Sequence, residues 1–447
     1  MEMNKKYRPV IGLEIHVELN TKSKMFCQCP ADYFGAKPNT HTCPVCLGMP
    51  GGLPVPNKTA IESTILLGKA LNCKINNEFK FERKHYFYPD LAKGYQISQE
   101  DEPIAEHGIV PILINGKRKE FKIKRVHLEE DTGKLTHSGE ETLIDFNRGG
   151  VPLVEIVTEP DFDDGEEVKV FLEELQVIVR YLGIANADME KGDMRLEPNI
   201  SVQIVEKLPE LPSYKVEVKN INSFRFVKKT IEYEVERQIE ILENGEVPKQ
   251  ETRGFDSSTN TTVSQRSKEN AEDYRYLPEP DIPSFEYTDE EYDVICSAMP
   301  ELPFDRMERY VDEFGVRSTD AFFLTRDKAL SDFFDVCLSY LNEKKVFDGD
   351  TAQILANHII NKKVPINTDP EVVVSEIIDN AKPVETDKGL LDEAVTRVIE
   401  ANPNAVDDFT SGKNPNSIMF LVGQVMKEMK GRADAQMVKE ALNKRLS

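Results

Sequence analysis

The hydrophobic pattern of this chain changes near residue 290, and that change limits the folds available to it. Before this point, short stretches of alternating polar and apolar residues are separated by Pro- and Gly-rich turns, with two clear amphipathic helices among them. Beyond it the pattern is almost wholly helical. This order predicts an α+β fold: a large N-terminal domain built on an antiparallel sheet with packed helices, then a helical middle domain and a small all-α tail.

Two breaks in the pattern predict where the domains end. The Pro-rich stretch 276–283 holds too many breakers to continue a helix or a strand, and a second break lies around 380–383. At ~150 residues per domain, 447 residues suggest three domains. We therefore predict domains over residues 1–295, 296–387 and 388–447. Within the first, apolar spacing predicts helices over about 165–182 and 226–243, both lying on the sheet.

The N-terminus and the cysteine count indicate where the protein works. No window approaches the ~18 consecutive apolar residues of a transmembrane helix, and Glu14 and His16 interrupt the only apolar run near the start. We therefore expect neither a signal peptide nor a membrane partner. Seven cysteines are an odd number for a disulfide framework. A reducing cytoplasm is the simpler location.

The charge balance excludes one class of function. With 56 Lys and Arg against 79 Asp and Glu, the net charge is −23, whereas proteins that coat DNA or RNA are basic. Any contact with nucleic acid must therefore be local. From Gly412 onward, seven basic residues stand against three acidic ones, which gives this tail a charge of +4.

A predicted strand over 10–19 carries two candidate metal ligands. Its alternation places Glu14 and His16 on one face with Gly12 and Glu18, and an apolar series on the other: Leu13, Ile15, Val17 and Leu19. Residues two apart on a strand face are about 6–7 Å apart at the Cα atoms, which suits two ligands of one metal. A solvated strand face would show the same alternation.

The stretch DFNRGGVPLVEIVTEPD, residues 145–161, predicts a strand that is buried on both faces, with Glu155 inside it. A buried carboxylate is costly unless a metal, a cation or hydrogen bonds compensate its charge. Two explanations would compensate the charge of Glu155. One is a structural ion pair with Arg148, and the other is a functional site. Another acidic group, Glu129–Glu130–Asp131, ends a further strand-like run. Oxygen ligands with a single histidine favour Mg²⁺ or Mn²⁺ over Zn²⁺.

Four cysteines form a second candidate metal site. Cys27-x-Cys29 and Cys43-x-x-Cys46 flank a turn-rich loop, and paired thiolates at this spacing can close a tetrahedral site. We predict structural zinc in a loop over 27–46. His41 could replace one sulfur, and four free thiols are the alternative.

Standard nucleotide and nucleophile motifs are absent from the sequence. There is no G-x-x-x-x-G-K-[ST] loop and no G-x-S-x-G elbow. Aromatic and basic residues do interleave over 81–98 and 215–229. Such mixtures can stack bases and hold phosphates, although an exposed sheet edge has a similar composition.

Many long strings, in one order over residues 10–283, resemble the family of the B subunit of glutamyl/aspartyl-tRNA amidotransferase, and a string at 420–431 resembles the tail of that family. The strings are VIGLEIHVELNTKSKMF, the CxC and CPVC pair, RKHYFYPDLAKGYQIS, HLEEDTGK, DFNRGGVPLVEIVTEPD, KVEVKNINSFRFV, QETRGFD, DYRYLPEPDIP and FLVGQVMKEMKG.

The resemblance implies a carbon–nitrogen ligase that repairs misacylated tRNA with glutamine as amide donor. Its B subunit uses ATP and Mg²⁺ to phosphorylate the side-chain carboxylate of Glu-tRNA(Gln) or Asp-tRNA(Asn), and ammonia then displaces the phosphate. The ammonia comes through a channel from a glutaminase A subunit, and a small C subunit completes the heterotrimer. The family holds its nucleotide in a sheet-based cradle without a P-loop.

The resemblance also implies roles for particular residues. Four look like the Mg²⁺-binding set: Glu14, His16, Glu130 and Glu155. Four more look like phosphate contacts or channel-gating residues: Lys84, Lys93, Arg148 and Lys219. The tail over 388–447 looks like the tRNA-binding domain. Leu196 and Glu197 stand where the family commonly shows Cys and Asp, so the resemblance carries no role over to Glu197.

Two other classes of function are compatible with the same residues. A metal-dependent hydrolase could use the Glu and His set without ATP. A non-catalytic, zinc-stapled scaffold that holds tRNA for a partner would need no carboxylate cluster. None of these functions involves DNA.

Overall fold

The computed structural model describes residues 6–207, 210–267, 274–344, 349–381, 387–429 and 433–446. The chain divides into two compact units, residues 1–332 and 333–447. All described strands lie in the first unit, and the described part of the second is helical. The predicted α+β class is therefore confirmed. The division into domains over 1–295, 296–387 and 388–447 stays a prediction.

Nine strands of the first unit form its main sheet, in the order β14-β13-β12-β11-β1-β10-β7-β6-β2. They are β1 (Tyr7–Glu18), β2 (Lys74–Ile75), β6 (Ala105–Ile114), β7 (Lys117–Glu130), β10 (Pro152–Thr158), β11 (Met194–Ile204), β12 (Val216–Lys219), β13 (Glu251–Asp256) and β14 (Thr261–Ser267).

The main sheet departs from the expected antiparallel sheet at one pair. β12 and β13 are parallel, whereas the other neighbouring strands are antiparallel. A hairpin cannot join parallel strands, and here the helix α3 (Phe224–Glu243) lies between them in the chain and makes the crossover.

Helices α1 (Lys58–Ala70), α2 (Gly165–Tyr181) and α3 pack against the sheet. The two helices predicted from apolar spacing are α2 and α3, so both predictions are confirmed. Asp164 caps the N-terminus of α2, where its side chain accepts hydrogen bonds from the backbone N–H groups of Glu166 and Glu167. The predicted apolar face of β1 is buried in the same core: Leu13, Ile15, Val17 and Leu19.

Three small sheets complete the strand structure. They are β15-β4-β5, β16-β3 and β8-β9, formed by β3 (Glu78–Phe79), β4 (Glu82–His85), β5 (Tyr95–Ser98), β8 (Lys134–Ser138), β9 (Glu141–Asp145), β15 (Arg275–Pro278) and β16 (Phe285–Glu286). The prediction that the stretch 276–283 cannot continue a strand was wrong for its first three residues, which belong to β15. β15 is an edge strand, where Pro278 needs no ladder N–H.

The remaining described helices follow the last strand. In the first unit they are α4 (Asp289–Cys296), α5 (Pro303–Asp312) and α6 (Ser318–Leu324); α7 (Lys328–Glu343) then begins in the first unit and ends in the second. The second unit contains α8 (Gly349–Lys362), α9 (Pro370–Ala381), α10 (Lys388–Ala401), α11 (Pro403–Thr410), α12 (Ser417–Glu428) and α13 (Ala435–Leu446). Helices α10 to α13 share one apolar core. Among the described helices, none is long and apolar enough to cross a membrane.

Candidate active site

A wide cleft of about 990 Å³ in the first unit is lined by six of the eight residues predicted to bind Mg²⁺ or phosphate. The polar face of the central strands forms its floor. Register aligns two rows of side chains across these strands. In the first row, His16 pairs with Glu155 on one side and Arg195 on the other, and Glu155 pairs with His127. In the second row, Glu14 pairs with Glu197.

His16, Glu129 and Glu155 form the first acidic group. His16 Nε2 lies 3.4 Å from Glu155 Oε2 and 3.6 Å from Glu129 Oε1. One ligand atom from each of the three residues lies within 4.8 Å of the others, a separation that a single metal ion can bridge. Both carboxylates are buried, and Glu155 is only 7% exposed. Its predicted burial is thus confirmed. Its charged neighbours are histidines, and Arg148 instead bonds to the carbonyls of Thr132 and Gly133.

Burial and the two histidines set the ionisation of this group. Burial by itself would raise the pKa of Glu155, but the charge and hydrogen bonds of His127 and His16 hold it well below its usual range. Burial likewise opposes the positive charge of His16, and Glu155 nevertheless raises the pKa of His16. Glu155 is therefore an ionised carboxylate, the form that a cation binds.

His127 is a member of this site that the sequence pattern did not reveal. It is 2% exposed, and its Nε2 lies 3.4 Å from Glu155 Oε2 and 3.8 Å from Glu129 Oε2. Burial disfavours its charge, but Glu155 and Glu129 raise its pKa to about 9. His127 is two residues before Glu129 on β7, so strand alternation places both on the same face. That spacing is the signal that could have pointed to it.

Glu14, Glu197 and Glu217 form the second acidic group, whose ligand oxygens also lie within 4.8 Å of one another. Lys219 forms ion pairs with two of them: its Nζ lies 2.9 Å from Glu197 Oε2 and 3.4 Å from Glu217 Oε1. Burial and the hydrogen bond with Glu217 raise the pKa of Glu197 to about 7. No sequence pattern assigned a role to Glu197 or pointed to Glu217, because their meeting depends on the pairing of β11 with β12.

Glu130 lies apart from both acidic groups. It follows Glu129 on β7, so its side chain points away from the cleft and forms an ion pair with Lys93. Both residues line a separate, smaller cavity of about 140 Å³. The structure therefore does not bring together the four residues of the predicted Mg²⁺ set: Glu14 lies in the second group, His16 and Glu155 in the first, and Glu130 in neither.

Cations surround the acidic groups in the cleft. Of the four predicted phosphate contacts, three line the cleft: Lys84, Arg148 and Lys219. The fourth, Lys93, lines the other cavity. Burial opposes the charge of Lys84, yet Glu129 and Glu155 raise its pKa, so it stays protonated. Arg195, which no sequence pattern singled out, forms an ion pair with Asp131. Burial by itself would raise the pKa of Asp131, but the charges of Arg195 and Arg148 lower it to about 2.

The four predicted zinc ligands lie together. Cys27, Cys29, Cys43 and Cys46 are free thiols whose Sγ atoms all fall within 4.8 Å of one another. Their geometry suits a tetrahedral metal site, and the four sulfurs form it without His41. The hydrogen bond from Cys27 is the main reason that the pKa of Cys46 falls to about 4, and Lys24 adds to this effect. A thiolate in this group is the form that zinc binds.

Comparison with known proteins identifies the family of this chain. Residues 9–293 match the family described as GatB/GatE catalytic domain, and residues 340–446 match the GatB domain. The chain is 44% identical to a Thermotoga maritima protein and 43% identical to one from Brevibacillus brevis, in each case over 99% of both chains. Both relatives are named as the B subunit of an aspartyl/glutamyl-tRNA(Asn/Gln) amidotransferase. By these matches, which cover nearly the whole sequence, the chain belongs to the GatB family of amidotransferase B subunits.

Proposed function

We propose that this chain phosphorylates the side-chain carboxylate of Glu-tRNA(Gln) or Asp-tRNA(Asn) with ATP and Mg²⁺, and then converts it to the amide. The relatives' name supports amide transfer on these tRNAs. The observation that carries the proposal is the presence of two acidic groups in one cleft, surrounded by cations. Metal sites and phosphate-binding cations in one cleft suit phosphoryl transfer.

The proposed chemistry has two steps. A carboxylate has no good leaving group and repels nucleophiles, so it must first be activated. A carboxylate oxygen of the substrate attacks the γ-phosphorus of ATP, and ADP leaves. Ammonia then attacks the carbon of the acyl phosphate, inorganic phosphate leaves with the pair of electrons of the broken C–O bond, and one proton of the attacking nitrogen passes to that phosphate.

Both acidic groups fit Mg²⁺. Each offers hard oxygen ligands, with one histidine in the first group, and a cation would favour the ionised form of Glu197, whose pKa is raised by burial and by Glu217. His16, Glu129 and Glu155 would hold one ion, and Glu14, Glu197 and Glu217 a second. When bound, Mg²⁺ neutralises charge on phosphate oxygens. Glu129 thereby takes the place that the resemblance gave to Glu130.

The remaining charged residues bind anions or separate the cavities. Lys84, Lys219, Arg148 and Arg195 line the cleft and would orient the phosphate and carboxylate oxygens. The ion pair of Lys93 with Glu130 lies in the wall of the smaller cavity, so we assign it to gating of the ammonia path. A glutaminase A subunit would supply the ammonia, and a small C subunit would complete the assembly.

ATP cleavage by the assembled enzyme, with an ammonium salt in place of glutamine, tests this function. We expect ADP formation that depends on misacylated tRNA and produces amidated tRNA. ATP-independent hydrolysis of the aminoacyl-tRNA would favour the metal-dependent hydrolase instead. Tight tRNA binding without turnover, while a partner carries the kinase activity, would favour the scaffold.

A further inference from the structure

One wall of the cleft is formed by β4 and β15 of the three-stranded sheet β15-β4-β5, and the cleft-facing side of these two strands is mostly aromatic. β4 pairs with β15, with Tyr276 opposite Lys84 and Arg275 opposite His85. Side chains alternate along strands, so the residues just beyond these pairs, Tyr86 and Tyr274, face the same side as Lys84 and Tyr276. All four line the cleft, as does Tyr88. We call Tyr86, Tyr88, Tyr274 and Tyr276 the tyrosine wall.

The tyrosine wall is open to solvent along part of its length. The rings of Tyr86 and Tyr274 meet nearly edge to face, with centroids 5.5 Å apart and planes at 70°. Lys84 Nζ lies 4.7 Å from the centroid of the Tyr274 ring. Tyr274 is 47% exposed, and Tyr88 is also exposed. The wall therefore offers ring surface, with a cation beside it, that the protein core does not use.

The wall extends from the first acidic group towards the rim of the cleft. Lys84 and Tyr276 form its inner pair, and both interact electrostatically with Glu129 and Glu155. Tyr86 and Tyr274 are the next residues on the same side of the two strands, Tyr88 follows Tyr86 by two positions in the chain, and Tyr274 and Tyr88 are the exposed members of the wall. A ligand that places a carboxylate at the acidic group thus has successive aromatic rings along the path by which it leaves the cleft.

We propose that the tyrosine wall binds the unpaired nucleobases at the 3′ end of the aminoacyl-tRNA by stacking. Aromatic side chains beside a cation stack single-stranded bases without reading their sequence. A row of rings suits several successive bases, whereas ATP has only one. The stacked end would hold the esterified amino acid in the inner cleft. This inference rests on the proposed function, because it requires tRNA as the substrate.

Single substitutions in the assembled enzyme test the wall. Tyr274→Ala removes a half-exposed ring, Tyr274→Phe keeps the ring and removes only the hydroxyl, and Phe87→Ala is the matched control. Phe87 is the neighbour of Tyr86 and Tyr88, is 84% exposed and does not line the cleft. With ammonium as donor, we expect Tyr274→Ala to raise the KM for misacylated tRNA about tenfold. Tyr274→Phe and Phe87→Ala should leave this KM nearly unchanged, and the KM for ATP should not move in any variant.

A second measurement observes stacking directly. A tRNA whose terminal adenine is replaced by 2-aminopurine should lose fluorescence on binding, and Tyr274→Ala should restore much of it. Unchanged quenching together with an unchanged KM for tRNA would overturn the proposal. A rise confined to the KM for ATP would also overturn it, because the wall would then hold the base of ATP. If the unmodified enzyme cleaves no ATP with tRNA, the proposed function itself fails, whereas an active enzyme indifferent to Tyr274→Ala defeats the wall alone.

Discussion

At the scale of single residues, Glu155 shows how a buried charge is retained in this fold. An isolated carboxylate at this depth would be protonated, because burial penalises its charge. Here two imidazoles, from His16 and His127, face the same oxygen, Glu155 Oε2. The carboxylate therefore stays ionised, and it lies where a cation can be shared with Glu129.

We expect Glu155→Gln to abolish ATP cleavage that depends on misacylated tRNA. The substitution preserves the shape of the side chain but removes the charge that binds the metal. The loss should exceed the roughly 100-fold cost of losing a supporting residue at a metal site. The partner's glutaminase activity should survive, and Glu141→Gln on exposed β9 should behave like the unmodified enzyme. Near-normal phosphorylation by a folded Glu155→Gln protein would show that the carboxylate serves only an ion pair.

His127 predicts a pH dependence of stability in the metal-free protein. Its pKa in the fold is raised from 6.5 to about 9, so folding favours its protonated form. This contribution is therefore fully present below pH 6.5 and is lost as the pH rises through about 9. It amounts to at most about 3 kcal/mol. His127→Gln should flatten the fall in unfolding free energy between these values, measured by chemical denaturation in chelator, and an equally steep fall in that variant would contradict the assignment.

At the scale of elements, one strand decides which acidic residue enters the cleft. β7 ends in Glu129 and Glu130, which the chain places on opposite sides of the sheet. Because strand side chains alternate, a side chain one position further along β7 faces the smaller cavity instead of the first acidic group. The same alternation brings His127 and Glu129 to a common face.

The cysteine loop predicts a structural zinc ion. Protein purified without chelators should contain about one zinc per chain with thiolate donors, as a complete four-sulfur site requires. Cys43→Ser should release the metal and make the loop over 27–46 more accessible to protease, while the cleft still binds Mg²⁺. Cys296→Ser, which changes a cysteine outside the group, is the control. Metal analysis that finds no zinc would defeat this prediction.

At the scale of the whole molecule, the proposed function requires a strongly acidic protein to bind a polyanion. The net charge is −23, but the tail from Gly412 onward carries +4, and its described basic side chains are exposed: Lys413, Lys427, Lys439, Lys444 and Arg445. Such charge supplies affinity for tRNA without reading sequence. An exposed helix with spare lysines is the alternative.

Deleting residues 388–447 should weaken tRNA binding and reduce its salt dependence. The deletion removes α10 to α13 together with their shared core, and it leaves the apolar core of the first unit intact. Binding is measured on the assembled enzyme over a range of salt concentrations. ATP and Mg²⁺ binding should persist. The same affinity and the same salt slope in the truncated enzyme would contradict a role for the tail.

The isolated chain should be unable to release ammonia from glutamine. Its sequence contains no nucleophile elbow, and the described cleft combines carboxylates with cations rather than with an activated nucleophile. Free ammonia should replace glutamine when the partner is inactive. Glutamine hydrolysis by the partner-free chain, followed as glutamate formation, would contradict this prediction.

The sequence by itself determined the features that depend on local pattern. Alternation and apolar spacing predicted the buried apolar face of β1, the helices α2 and α3 and the α+β class, because burial imposes a period on each element. Close spacing in the chain brought the four cysteines together. The collinear strings identified the family, which the comparisons confirm.

Only the tertiary structure decided which distant side chains meet. His16, His127 and Glu155 stand in one row because β1, β10 and β7 are neighbours in a particular register, although the chain separates them by up to 139 positions. The same is true of Glu14, Glu197 and Glu217, and of the choice of Glu129 over Glu130. Register between strands distant in the chain is set by the packing of the whole sheet, and a shift of one residue would reverse every face.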